Sequence, residues 1–308
     1  MKVGVIGTGN MGENHVRTYK SLSDICQLVG VYDVNEIKGK EIASKYNVKL
    51  FQSLEDLLSE VDAVSITVPT MLHYEVGLTC IKHTVHMLME KPIASTVNQA
   101  KTLVQKANDT GVKIQVGHIE LFNPLIQALK KELKNEKVIA IETHRMTPTK
   151  LREIDVVHDL MIHDLYILTE LLDDELSELY TLGKLTDTSP THATVIANST
   201  KGVVVQLTAS FKSNKRIRSI QVLTENKYIM ADLLQMELSV THAPREGEFH
   251  RSVMERVHIP AFTQPLALQL TDFLTCVKNG QVPTVAGEDG IQALILTSKI
   301  SENIINHS

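Results

Sequence analysis

A short apolar run near the start of the chain, Val3 to Ile6, breaks into Gly7-Thr8-Gly9-Asn10-Met11-Gly12, and an amphipathic pattern then continues to about Leu22. Strand, glycine turn and helix in that order leave few folds open. Gly7 permits the tight exit from the strand. Gly9 keeps side-chain atoms away from a bound pyrophosphate, and Gly12 lets the helix lie close to the sheet. The free N–H groups at the helix start, with the helix dipole, favour a phosphate. A second apolar run, residues 27–32, ends in Asp33, about 20 residues beyond the glycines. A carboxylate there accepts hydrogen bonds from an adenosine ribose. It also repels a ribose phosphate, and Val34-Asn35 supply no Arg to hold one, so NAD is favoured over NADP. Lys38 and Lys40 on the next helix temper that preference.

At 308 residues two domains are expected. A net charge of −5 argues against nucleic acid as the main partner. No apolar run approaches the roughly 20 residues of a membrane helix. The amino terminus enters a strand at once, so no signal peptide is expected. Cys26, Cys80 and Cys276 are far apart and odd in number, which suits reduced thiols in the cytoplasm.

The first part alternates strand patterns near 2–6, 27–32, 62–68, 85–88 and 112–116 with helix patterns near 11–22, 35–46, 54–59, 72–83 and 96–110. This predicts a doubly wound parallel sheet over 1–118. Ser53 and Ser95 read as helix N-caps. Ligands of such sheets sit outside the carboxyl ends of the strands, and three of those loops carry informative residues. One holds Pro69 and His73; His73 is either a solvated helix histidine or a group facing the crevice. The next holds Glu90-Lys91-Pro92. Pro92 biases Lys91 to an extended backbone, which projects the ammonium outward, and a partly desolvated Lys reaches a catalytic pKa. The third holds His118 and Asn123.

The second part, residues 119–308, reads as α+β. Helix 125–133 and strand 138–146 precede a helix over 155–172. Strand patterns at 177–184, 192–199, 203–211, 217–224, 227–232 and 236–242 then follow without intervening helices, which predicts a large, open, mainly antiparallel sheet. Val203, Val205, Leu207 and Ala209 share one face. Both faces carry apolar residues, so helices cover one and a partner subunit the other. Residues 243–251 read as an exposed loop. Helices at 264–279 and 287–306 close the chain, the last packing either here or back on the first part. In the 155–172 helix, Asp159 and His163 are four residues apart and share a face, a carboxylate–imidazole pair suited to proton exchange with a hydroxyl. His158 and His163, five apart, point in different directions, and no metal site is expected.

These features together resemble the Gfo/Idh/MocA oxidoreductases, the glucose–fructose oxidoreductase and inositol dehydrogenase group. The resemblance rests on Gly7 to Gly12, Asp33, Pro69 with His73, Glu90-Lys91-Pro92 and Asp159 with His163. It implies a Rossmann domain followed by a sheet domain through which dimers or tetramers assemble. It implies that Lys91 and His163 flank the reacting hydroxyl and that Asp159 supports His163. A narrower resemblance, to UDP-N-acetylglucosamine 3-dehydrogenases, rests on Val116-Gly117-His118-Ile119-Glu120-Leu121-Phe122-Asn123-Pro124 and on Arg152 three residues before Asp155. That subgroup carries Arg where this chain has Leu121. Val68, and the absence of glycines in Ile154-Asp155-Val156-Val157-His158, depart from the wider family. The expected cofactor contacts are Gly7, Thr8, Gly9, Asn10, Met11, Gly12, Asp33, Pro69, His73, Glu90 and Lys91. The catalytic set is Lys91, His163 and Asp159, with His118, Asn123 and Arg152 as substrate contacts. The expected activity is hydride transfer between NAD and a secondary alcohol of a sugar or nucleotide sugar. A non-catalytic NAD redox sensor and a reductase of a biliverdin-like substrate are the rivals; the Lys91, Asp159 and His163 set argues against both.

Overall fold

The computed structural model describes residues 1–149, 155–243, 253–259 and 264–307. Its first sheet is built from β1 (Lys2–Ile6), β2 (Gln27–Tyr32), β3 (Lys49–Leu50), β4 (Ala63–Ile66), β5 (His86–Met89) and β6 (Ile114–Val116). Helices α1 (Asn10–Ser21), α2 (Glu36–Tyr46), α3 (Leu54–Leu58), α4 (His73–Lys82) and α5 (Val97–Thr110) alternate with them. The spatial order is β3-β2-β1-β4-β5-β6, with every pair parallel. That order reverses between β1 and β4, which opens a crevice at their carboxyl ends. Ser53 caps α3 by accepting from Asp56 N at 3.0 Å. The expected Ser95 cap is instead Thr96, whose hydroxyl accepts from Gln99 N at 3.2 Å. Two adjacent hydroxyl residues offer the same cap chemistry, and the helix starts one residue later than expected.

The second sheet has eight strands in the order β14-β13-β12-β11-β7-β10-β9-β8. These are β7 (Val138–Met146), β8 (Leu176–Thr186), β9 (Ser189–Ser199), β10 (Val204–Ser210), β11 (Ile217–Thr224), β12 (Lys227–Asp232), β13 (Glu237–His242) and β14 (Val253–Val257). Only β7 and β10 run parallel; the other neighbours are antiparallel. Helices α6 (Pro124–Glu132) and α7 (Ile162–Leu172) flank β7 in the chain. The strands alternate as expected: Val205, Leu207 and Ala209 are fully buried, while Val204 is 48% exposed. The edge strand β14 was not anticipated from the sequence. Of the anticipated 243–251 loop, residues 244–251 lie outside the described residues.

The chain divides into two units, Met1–Ile119 with Thr263–Leu294, and Glu120–Phe262 with Ile295–Ser308. The expected boundary, which gave all of 119–308 to the second part, is therefore corrected. Helix α8 (Pro265–Asn279) belongs to the first unit, where Leu266, Leu270, Phe273 and Leu274 join one core cluster with Val3, Val5, Val16 and Tyr19. Hydrogen bonds tie α8 and the segment after it to β6 as well. Gln115 Nε2 donates to Gln269 O at 3.0 Å, and Val116 N donates to Val285 O at 3.0 Å, so the open edge of β6 is covered. The last helix, α9 (Gly287–Asn306), is shared between the units. Among the described residues no helix is long and apolar enough to cross a membrane.

Candidate functional site

In the first unit the glycine turn is shaped by its own backbone. Gly7 has φ +89°, a left-handed geometry that L side chains resist. At Gly12 a Cβ would lie 2.0 Å from the Gly7 carbonyl oxygen, so a side chain there is excluded. At Gly9 a Cβ would meet nothing within 4 Å, and Gly9 caps α1 without any side-chain hydrogen bond. The first N–H groups of α1 thus lie beside open space. Asp33 ends β2 and is held in place: its Oδ2 accepts from Thr8 N at 2.6 Å and Thr8 Oγ1 at 2.7 Å, and its Oδ1 accepts from Asn35 N at 2.7 Å. Lys40 pairs with Glu36 at 2.6 Å. A fixed carboxylate beside an open, glycine-lined helix start fits a dinucleotide. Thr67, which the sequence gave no reason to single out, ties β4 to the turn by donating to Gly7 O at 2.8 Å.

At the next loop the placement of His73 is corrected. His73 does not face a crevice or solvent. It is 1% exposed, with Nδ1 2.8 Å from Pro92 O and Nε2 2.9 Å from Val68 O. It braces the Lys91–Pro92 turn against the end of β4, and burial pushes its pKa down. Glu90 has its carboxylate held by its neighbours. Its Oε1 lies 3.2 Å from His15 Nε2, and its Oε2 accepts from Lys91 N at 3.3 Å. His15 in turn reaches Ser65 Oγ at 2.9 Å, which meets Tyr19 OH at 2.9 Å. This buried string of polar groups fixes the start of the Lys91 segment from below. His15 lies on the buried side of α1, a periodicity visible in the sequence; its partner was not. Pro69 is exposed after β4, and Lys91 follows the carboxyl end of β5. His118, expected to touch substrate, is 1% exposed; burial first, and then the Lys91 charge, push its pKa down to about 3. It is a neutral ring at neutral pH.

In the second unit the catalytic-helix expectation is modified. Residues Val157–Met161 form a π-type turn that runs into α7. Bonds closing at i+5 add a residue to the turn, so the uniform α-helical phase assumed for Asp159 and His163 does not hold. His163 is half-buried, and its Nδ1 lies 2.7 Å from Tyr166 OH. Tyr166 is buried, which pushes its pKa well above the usual phenol value, and its oxygen accepts from Glu120 N at 3.3 Å. Asp159 is half-buried too. Asp155 anchors the turn: Oδ1 accepts from Val157 N at 2.7 Å, and Oδ2 meets His158 Nδ1 at 3.0 Å and Ser301 Oγ at 2.5 Å. Burial opposes its charge, but these partners hold its pKa below the usual carboxylate value.

Beneath α7 lies an ionic network that the sequence did not reveal. Arg145 on β7 is 1% exposed, with Nε 3.0 Å from Asp164 Oδ1 and Nη1 3.2 Å from Glu120 Oε1. Arg218 reaches the same Glu120 oxygen at 3.6 Å. Burial opposes Glu120's charge, but Arg145, Asn123 and Arg218 hold its carboxyl below its usual value. Asn123 is committed here: Nδ2 donates to Glu120 Oε2 at 3.0 Å, and Oδ1 caps α6 by accepting from Leu125 N at 3.0 Å. A substrate contact by Asn123 is therefore not supported. Arg152, the remaining expected contact, lies outside the described residues. The signal that could have exposed the network is Arg145 at an inward position of an otherwise alternating strand.

Residues 1–118 match the model of the Gfo/Idh/MocA oxidoreductase family, NAD-binding Rossmann fold. A UDP-N-acetylglucosamine 3-dehydrogenase of Acidithiobacillus ferrooxidans is 33% identical over 245 residues, 79% of this chain and 77% of that one. A myo-inositol 2-dehydrogenase of Thermotoga maritima is 25% identical, covering 96% of this chain and 94% of its own. The solved structure of the Acidithiobacillus enzyme superposes with a TM-score of 0.91 at 30% identity, covering 99% of this chain and 98% of that one. Levoglucosan dehydrogenase, in complex with NADH and levoglucosan, shares the fold at 16% identity with a TM-score of 0.89, covering 100% of this chain and 98% of its own.

Proposed function

The chain belongs to the Gfo/Idh/MocA oxidoreductase family, and from that premise we propose that it is an NAD-dependent dehydrogenase of a nucleotide sugar, oxidising the 3-hydroxyl of a UDP-N-acetylhexosamine. The observation that carries the reading is the 33% identity to the UDP-N-acetylglucosamine 3-dehydrogenase across most of both chains, joined to the intact Lys91 and His163. NAD is preferred over NADP because Asp33 is a carboxylate fixed by three hydrogen bonds where a ribose phosphate would have to sit. Bound NAD supplies the acceptor for the hydride that leaves the carbinol carbon.

The chain's own groups move the proton. With Nδ1 held 2.7 Å from Tyr166 OH, His163 Nε2 is the ring nitrogen left to take the hydroxyl proton. Lys91 hydrogen-bonds the same oxygen and stabilises its developing negative charge. Tyr166, on Nδ1, orients the His163 ring, and Asp159 adds a carboxylate one turn before it. His118, neutral because buried, adds no positive charge of its own beside Lys91.

The protein acts as a homo-oligomer, dimer or tetramer, through the outer face of the second sheet. That face exposes Leu182, Ile196, Val204, Leu223, Met230 and Met254, apolar side chains that a second copy of the face would cover. The test of the activity is NADH absorbance with a panel of UDP-sugars and free polyols. UDP-N-acetylglucosamine is expected to reduce NAD fastest; reduction of NAD by polyols alone would overturn the nucleotide-sugar reading.

A further inference from the structure

The buried side of α1 brings His15 and Tyr19, one turn apart, into the core of the first unit. His15 and Ser65 are 0% exposed and Tyr19 is 1% exposed. Their contacts end on the residue before Lys91. Tyr19 OH meets Ser65 Oγ at 2.9 Å, Ser65 Oγ meets His15 Nδ1 at 2.9 Å, and His15 Nε2 meets Glu90 Oε1 at 3.2 Å. The second Glu90 oxygen accepts from Lys91 N at 3.3 Å, and a Cβ on Gly117 would lie 2.9 Å from it. The Glu90 carboxylate is thus bonded at both oxygens and walled by the Gly117 backbone.

The protons of this string have one arrangement. Among the described residues Ser65 Oγ is the acceptor within reach of the Tyr19 hydroxyl, and a buried donor left unmade is costly. Tyr19 therefore donates to Ser65, Ser65 donates to His15 Nδ1, and His15 Nε2 carries the proton that Glu90 accepts. Burial pushes the Tyr19 pKa up, which keeps the first donor protonated. A fully satisfied buried network rigidifies its members and specifies one geometry. Here it specifies the place of Glu90 and, through Glu90, of the Lys91 backbone. Lys91 carries its ammonium on a flexible four-carbon stem, so a small rotation at the backbone becomes a large displacement at Nζ. The helix that carries His15 also starts at the glycine turn that fits the cofactor phosphates.

We propose that His15 is a positioning residue for Lys91: its Nε2–H tautomer, set by Ser65, holds Glu90 so that the Lys91 ammonium keeps a fixed relation to the helix that seats the cofactor. His15 and Ser65 are fully buried, so they act through Glu90 and not on the substrate. This deepens the reading above and rests on its assignment of Lys91 to the reacting hydroxyl.

The test compares variants that keep different halves of the imidazole. His15→Gln places an amide N–H near the position of Nε2–H and keeps a donor for Glu90, whereas His15→Asn reaches only as far as Nδ1. A 1 Å misplacement of a reacting group costs about 100-fold in rate. His15→Asn should therefore lower kcat at least about tenfold, with KM and NADH affinity close to wild type. His15→Gln should restore most of that loss. Ser65→Ala, which removes no contact to Glu90 or Lys91, should lower kcat in the same direction because the tautomer is no longer set. Tyr19→Phe should lower the melting temperature and leave kcat unchanged. The carbon resonance of the Lys91 ε-methylene in the NAD-bound protein, assigned by its loss in Lys91→Met, needs no turnover. It should shift in His15→Asn and return in His15→Gln. Wild-type kcat with an unmoved Lys91 resonance in His15→Asn would overturn the proposal. So would an equal loss in His15→Gln, or a loss of kcat that follows melting temperature across all four variants. A wild type that reduces NAD with no sugar would remove the dehydrogenase reading, and the Lys91 resonance would still decide the positioning.

Discussion

The glycine turn before α1 and the π-type turn before α7 both start a helix beside a sheet, yet they are made of different material. The first is main chain: a left-handed Gly7, a Gly12 with no room for a Cβ, and an uncapped helix start at Gly9. The second is side chain: Asp155 anchors it, and His163 leans on Tyr166, which rests on Glu120 and through it on Arg145 and Arg218. A backbone site tolerates few residues at few adjacent positions. A side-chain site draws on segments separated by a hundred residues, each ordinary by itself.

The difference is open to test, and its largest consequence is in stability. Arg145→Met strands Glu120 and Asp164 in a buried site and should cost about 3–5 kcal/mol, read from chemical denaturation. A loss below 1 kcal/mol would mean that the network does not hold α7. In the glycine turn the effect should fall on the cofactor. Gly12→Ala should weaken NADH binding about 100-fold, or about 2.8 kcal/mol, and lower the melting temperature, because the new Cβ collides with backbone. Gly9→Ala should weaken NADH while leaving the melting temperature in place. Equal behaviour of the two variants would erase the distinction between shape and access.

A third test uses pH. The folded pKa of His118 is pushed down to about 3, against an unfolded value of about 6.5. Between those values the unfolded chain binds the extra proton, so stability falls as pH falls and levels off above the unfolded value. At pH 5 wild type should have lost about 2 kcal/mol through this group relative to pH 7. His118→Asn should lose that much less; parallel pH profiles would show that the ring protonates without penalty. The smallest effect belongs to Asn123→Ala, which removes a helix cap and should cost about 1 kcal/mol with KM for substrate unchanged. A tenfold rise in KM would restore Asn123 as a substrate contact.

The same contrast explains what could be read from the sequence. The parallel sheet, its glycine turn and the Asp33 position follow from local pattern and spacing. The alternation of β10 predicted its two faces. Strand β3, two residues long, has no periodicity to detect. The π-type turn over Val157–Met161 contains no Gly or Pro to mark it. Helix α8 was legible as amphipathic, but amphipathicity says that a face is buried, not which core buries it. His73 looked available because its position in the chain carries no information about Pro92 O and Val68 O, the two carbonyls that surround it. Arg145 stands out only by its inward place on β7, and Glu120 and Asp164 carry no signal until the fold brings them to it.

The central claim is that Lys91 and His163 act on one hydroxyl, and the rate of NAD reduction by UDP-N-acetylglucosamine in Lys91→Met tests it most directly. The account predicts a loss of about a thousandfold in turnover with NADH affinity within threefold of wild type. Turnover near the wild-type rate would contradict it.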